Sequence, residues 1–158
     1  MKRWLFCAAA MVLAAALGLT PFAGSDVATL QPVELIWVGV SGDALVVRTD
    51  TGDSGRGNTA EQAFANLKQT TPGEVFLDTV DYLLLQPSAL KFLPALTDIL
   101  RPACNVCLVE QEVDLEKAAG YLRVHSENYT LQNYRTGKGN IPYLKADEER
   151  LKLVSKES

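Results

Sequence analysis

RPACNVCLVEQEVDLEKAAGYL, Arg101 to Leu122, is the stretch that decides the fold. Asn105–Val113 is an apolar, β-rich run that predicts a strand. At Asp114 the period changes. Leu115, Ala118, Ala119 and Leu122 recur at i, i+3, i+4 and i+7, the spacing of one buried helix face, and Asp114 is placed to cap that helix. A strand leading into an amphipathic helix is one unit of a layered α and β chain.

The same alternation runs upstream. Val33–Val40 and Ala44–Arg48 are two β-rich runs flanking Ser41-Gly42-Asp43, a hairpin signal. TGDSGRGN, Thr51 to Asn58, reads as a mobile glycine-rich loop. It lacks the Lys-Ser/Thr ending and the strand–helix spacing of a phosphate-binding loop. Thr59 and Gln62 form a capping box before a helix with Ala60, Ala63, Phe64 and Leu67 on one face. Val75–Leu77 and Asp81–Leu85 read as buried strand-like runs, interrupted near Asp78-Thr79. Pro87 opens a short helical turn, Pro94 starts a second helix to Leu100, and Arg101-Pro102 stops it. The predicted order is ββαβαβα, an α/β (α+β) fold with helices on a small mixed sheet. After His125 the apolar pattern thins, so residues 125–158 are expected to form a polar C-terminal extension. Within it ADEERLKLVSKES is read as a charged terminal helix or a fraying end.

At the other end, Lys2 and Arg3 precede an uncharged apolar run from Trp4 to Leu19, the pattern of an export signal. Sixteen residues fall short of the roughly 20 that a stable membrane span requires. Residues 1–25 are therefore expected to be a signal peptide or a retained N-terminal anchor. Cys7 sits at the front of that run, the wrong end for a lipid-modified cysteine. Residues 1–25 contain Lys2 and Arg3 and no acidic residue, so the body keeps 13 basic against 19 acidic residues, a net charge of −6. An acidic body without a Lys/Arg cluster argues against nucleic acid and against an anionic membrane surface.

Two cysteines remain in that body, Cys104 and Cys107, spaced C-x-x-C. Redox pairs of this spacing sit at a helix N-terminus, where the dipole lowers the thiol pKa. Here the pair runs into a strand. Extended chain advances about 3.3 Å per residue, which holds the two Cα atoms roughly 10 Å apart, beyond the reach of a disulfide at under about 7 Å. A late strand start, at Val106, would let a bend bring them together. Zinc would need two further ligands, and His125 is the single histidine. The readings are buried strand residues, which the spacing favours, a local disulfide, or a redox or metal site.

Little else carries chemistry. His125 follows a helix and fits a dipole partner better than a base. Asp78 and Asp81 could pair for acid/base work but fit a turn and cap better. Gly137-Lys138-Gly139 is a tight turn, and Asn128-Tyr129-Thr130 matches a glycosylation sequon. Glu110, Glu112, Asp114 and Glu116 make an acidic edge. That edge, with Asp53 and Arg56 of the Thr51–Asn58 loop, is the candidate interaction surface.

Several local patterns are shared with a known family. They are Val38-Gly39-Val40 with Asp43, Gly57-Asn58-Thr59-Ala60-Glu61-Gln62-Ala63 with Leu67, the pair Val75–Leu77 and Tyr82–Leu85, and Leu100-Arg101-Pro102 followed by Val106–Val109 and Ala118–Leu122. On these the chain resembles, from about Pro32 to Leu122, the N-terminal domain of the Ger(x)C proteins, the C-subunits of bacterial spore germinant receptors. The family has a lipidated cysteine directly after its leader, where this sequence has Thr20–Asp26. It has polar residues in the strand pair where this sequence has Asp78-Thr79-Val80-Asp81. The resemblance implies a domain over residues 32–124 that acts without catalysis or cofactor. It would be exported, to the extracytoplasmic face of the membrane or as a secreted protein, and would act through contact with membrane-embedded protein partners. It also puts both cysteines on a core strand without a redox role. No small-molecule ligand is identifiable from the sequence. The alternative is an exported thiol-disulfide protein using Cys104 and Cys107.

Overall fold

Leu35 to Ser41, LIWVGVS, is buried at five consecutive positions, so both faces of this strand are covered and it belongs inside a sheet. The computed structural model describes residues 30–125, 129–147 and 150–154. In chain order the described strands are β1 (Leu30–Pro32), β2 (Leu35–Ser41), β3 (Ala44–Thr49), β4 (Ser54–Gly57), β5 (Glu74–Phe76) and β6 (Tyr82–Leu85). They continue as β7 (Asn105–Leu108), β8 (Tyr143–Asp147) and β9 (Arg150–Val154). The described helices are α1 (Ala60–Thr70), α2 (Leu93–Ile99), α3 (Leu115–His125) and α4 (Leu131–Arg135), with 3-10 segments at Leu77–Thr79 and Pro87–Phe92.

Seven strands form one mixed sheet in the order β4-β3-β2-β6-β7-β8-β9. The centre is parallel. β2 pairs with β6, β6 with β7, and Leu108 of β7 with Tyr143 of β8. An antiparallel hairpin flanks it on each side, β2–β3 with β4 beyond, and β8–β9. β1 and β5 form a separate two-stranded ribbon. The fold is thus mixed α/β, as the periodicities predict.

Alternate residues of the central strands enter two cores. Ile36, Val38, Leu83, Leu85, Val106 and Leu108 face one side, under Phe64 and Leu67 of α1, Leu93 and Leu96 of α2, and Leu131 of α4. Leu35, Trp37, Tyr82, Leu84, Cys107 and Val109 face the other, under Ala118, Ala119 and Leu122 of α3. The period of two along each strand therefore sorts the side chains between helix layers. The predicted apolar faces of α1 and α3 are the ones buried.

The helix starts follow their caps. Thr59 Oγ1 accepts the Gln62 amide at 3.3 Å, while the Gln62 side chain reaches one residue further back than a strict capping box, to the Asn58 amide at 3.1 Å. Asp114 Oδ1 accepts the Lys117 amide at 3.1 Å. Pro94 lies in the first turn of α2.

Four expectations change. The strand expected over Asn105–Val113 stops at Leu108, opposite Leu85, where β6 itself ends and the ladder loses its partner. The expected mobile loop Thr51–Asn58 contains β4, paired to β3 from Ser54 to Gly57. Val75–Leu77 and Tyr82–Leu85 do not pair with each other, since β5 joins β1 and β6 lies in the large sheet. Finally, residues 129–154 supply α4, β8 and β9, so Arg150–Val154 is a sheet strand rather than a terminal helix or a frayed end. The leader at residues 1–25 lies outside the described residues, as does Asn128 of the sequon.

Candidate functional site

Cys104 and Cys107 stand on opposite faces of the sheet. Cys104 is fully buried in the core under α1 and α2, and Cys107, with its backbone in β7, is buried in the core under α3. Three residues of extended chain turn the two side chains away from each other. Among the described residues neither thiol is in a disulfide. Burial pushes the Cys104 thiol up to about 12, with Cys107 adding to the rise and the Arg101 guanidinium opposing it. The Cys104 thiol donates to the Asn105 carbonyl at 3.7 Å. The local disulfide is therefore excluded by geometry. A thiolate nucleophile is disfavoured by burial, which acts against the low pKa that redox cysteines need.

Asp78 and Asp81 do not form an acid/base pair. Asp78 lies in the 3-10 segment, and Asp81 is ion-paired with Arg101, whose Nε also donates to the Val80 carbonyl at 2.9 Å. His125 stacks on Tyr121 with ring centroids 4.5 Å apart and meets the Tyr121 carbonyl at 3.2 Å through Nδ1. Among the described residues, no group of three or more His, Cys, Asp or Glu side chains is arranged to hold a metal ion.

The interaction residues fare differently. Asp53 and Arg56, on either side of β4's start, and Glu112 and Glu116, before and within α3, come to one end of the sheet. They arrive there through Arg48 of β3, which makes an ion pair with Glu112. Glu112 and Arg56 line an open groove of about 720 Å3 together with Trp37, Val46, Arg48 and Gln86. Asp53 and Glu116 line an adjoining depression of about 440 Å3 with Asp50 and Asp114. Glu110 is exposed and lies in neither.

The groove's floor follows from the sheet register. Arg56 is the partner of Val46, and Val46 of Gly39, so the three share one face. Gln86 follows Leu85, the partner of Val38, and extends this row. One row back, Trp37 pairs with Arg48, and the Arg48 guanidinium stands over the indole, 5.4 Å from the ring centroid. Gln86 Oε1 accepts the Val40 amide at 3.2 Å. Trp37 is 7 % exposed, and its Nε1 is buried without a hydrogen-bond partner among the described residues. Arg56 donates to the Ser41 carbonyl at 3.2 Å and has no carboxylate partner among the described residues.

In the adjoining depression, Asp50 Oδ2 accepts the Glu34 amide at 3.2 Å, and Asp50 Oδ1 is buried without a partner among the described residues. Desolvation raises the Asp50 carboxyl above its ordinary value, against hydrogen bonds that lower it. Glu34 is itself held by Arg123 of α3, at 3.0 Å from Nε and 2.5 Å from the terminal nitrogen.

Sequence reasoning missed Trp37, Arg48 and Gln86. Trp37 and Arg48 carried no separate signal inside their β-rich runs, and Gln86 was absorbed into a helix start. Comparison with protein-family models, with curated proteins and with solved structures finds no match to this chain.

Proposed function

We propose that this chain is a non-catalytic interaction module resembling the N-terminal domain of a spore germinant receptor C-subunit. It is exported to the extracytoplasmic face of the membrane and acts by contact with membrane-embedded protein partners. The observation that supports this reading is the gathering of Asp53, Arg56, Glu112 and Glu116 at one end of the sheet, held there by the Arg48–Glu112 pair. A rigid sheet end carrying charges of both signs suits recognition of a partner by charge complementarity. The leader pattern of residues 1–19 supports export.

The alternative, an exported thiol-disulfide protein, loses support from the opposite faces occupied by Cys104 and Cys107 and from the raised Cys104 pKa.

The test is nutrient-triggered germination of spores from a strain lacking this gene, followed as loss of optical density. Selective loss of response to one nutrient class is expected. Rescue is expected from the unaltered chain but not from Arg56→Glu with Glu112→Arg. Normal germination to every trigger would overturn the receptor role.

A further inference from the structure

The groove beside Trp37 opens next to the carboxyl ends of two parallel strands. β2 and β6 are parallel neighbours, yet the chain leaves β2 toward β3 on one side and leaves β6 for β7 on the other. Val40 and Ser41 at the end of β2, and Gln86 at the end of β6, line this groove. Its volume, about 720 Å3, is that of a small-molecule site.

Two features of the lining define what would fit. At one end the Arg56 guanidinium meets a neutral carbonyl, that of Ser41, and no carboxylate among the described residues. In a body of net negative charge, such an unneutralised guanidinium favours a carboxylate, which it can hold bidentately. Toward the middle, the lining residue Trp37 has a buried N–H without an acceptor among the described residues. A buried donor left unmade costs about 1–3 kcal/mol, and a ligand oxygen would recover it. Arg48, which stands over that indole, is held by an exposed ion pair worth under about 1 kcal/mol and by its cation–π contact, both of which a ligand at the indole would compete with. Between the two donors lies the partly buried Val46 side chain, an apolar strip. Arg56 and Trp37 sit two strands apart, roughly 10 Å across the ladder. A benzene ring with a carboxylate at one end and an oxygen at the other bridges such a gap between long side chains.

We propose that this groove is a binding site for a small aromatic carboxylate, its carboxylate on Arg56, its ring over Val46 and a distal oxygen on the Trp37 indole N–H. The site shares Arg56 and Glu112 with the partner contact proposed above, but its test is separate, because it is read on the purified chain with both residues intact rather than in spores.

The chain carries two tryptophans, Trp4 and Trp37, so full-length Trp4→Phe leaves one indole N–H resonance in a 15N spectrum. Titration with 4-hydroxybenzoate is expected to move that resonance downfield in a saturable way. The neutral probe 4-hydroxybenzamide, and 4-hydroxybenzoate with Arg56→Gln, are each expected to bind about ten-fold more weakly or worse. Benzoate, which lacks the distal oxygen, is expected to bind through Arg56 without the downfield movement. An indole resonance that stays still under saturating 4-hydroxybenzoate would overturn the site, as would an absence of saturable binding or equal affinity for acid and amide. The acid–amide comparison uses the chain with Arg56 intact, so it stands even if the Arg56 variant misfolds.

Discussion

The Trp37 indole lies directly over Gly39. A Cβ at Gly39 would strike Cη2 and Cζ2 of that ring and come within 2.5 Å of Gln86 Oε1. The absent side chain is what lets a tryptophan lie flat on the sheet beneath Arg48, so the groove's back wall depends on a glycine two residues further along the strand. Gly39→Ala is expected to cost about 1–3 kcal/mol, as overpacking at a filled site does. The cost should appear as a lower urea midpoint at unchanged slope. Because Trp37 must tilt to admit the methyl, its fluorescence should shift as well. An unaltered midpoint and spectrum would mean that the indole does not occupy this position.

Gly55 is a stricter case. A Cβ there would meet backbone rather than side-chain atoms, the Ala63 carbonyl, Leu67 N at 2.5 Å and Leu67 Cα at 2.8 Å. A helix backbone cannot swing aside as an indole can. Gly55→Ala should therefore destabilise more than Gly39→Ala, at or beyond about 3 kcal/mol, by prying α1 off β4. The urea midpoints of the two variants, measured side by side, check this ranking. A milder Gly55→Ala would show that α1 does not pack so closely on the edge strand.

The same glycine explains why β4 was hard to read. SGRG has almost no β propensity, and its pairing comes from close approach of bare backbone to α1, which no periodicity reports. By contrast α1 and α3 were legible from Thr59, Asp114 and the i, i+3, i+4, i+7 spacing, because cap and apolar face are written locally. β9 carried a local signal too, the alternation Leu151-Lys152-Leu153, but its flanking charges resembled a helix or a loose end. The end of β7 at Leu108 depends on where β6 stops, a fact of another segment. The site shows the same divide. Arg56 and Glu112 stood out as charges, whereas the ion pair with Arg48 that joins the acidic edge to the β4 region spans 64 positions and is created only by the sheet.

That ion pair is expected to organise the site more than it stabilises the fold. Arg48 and Glu112 are 44 % and 66 % exposed, so solvent screens their attraction. A double-mutant cycle with Arg48→Ala and Glu112→Ala should give a coupling of about 0.2–1 kcal/mol, shrinking in high salt. Arg48→Ala alone should cost somewhat more than Glu112→Ala, because it also removes the cation–π contact with Trp37. Coupling well above this range, insensitive to salt, would indicate a desolvated pair and a closed groove.

The buried thiol of Cys104 makes stability depend on alkaline pH. Its folded pKa is raised to about 12 from an ordinary value of 9.0, first of all by desolvation. In the unfolded chain the thiol loses its proton near 9, while in the fold it keeps it until about 12. Across that window the native state binds more protons, so unfolding becomes easier as pH rises. This stabilising contribution is complete below pH 9 and is lost on the way to 12, at up to about 1.4 kcal/mol per pH unit. Tyr129, also raised chiefly by desolvation, acts in the same direction. The Cys104 share is isolated by comparing urea midpoints of the unaltered chain and Cys104→Ala at pH 8 and pH 10.5. The variant is expected to be less stable at pH 8, through the cavity it leaves, and to fall less steeply with pH. In a Cys7→Ser background, Cys104 and Cys107 should resist thiol labelling in native buffer and react together in denaturant. Equal pH slopes for the two proteins, or rapid native labelling at Cys104, would show that the thiol reaches solvent and would return the pair to the list of reactive groups.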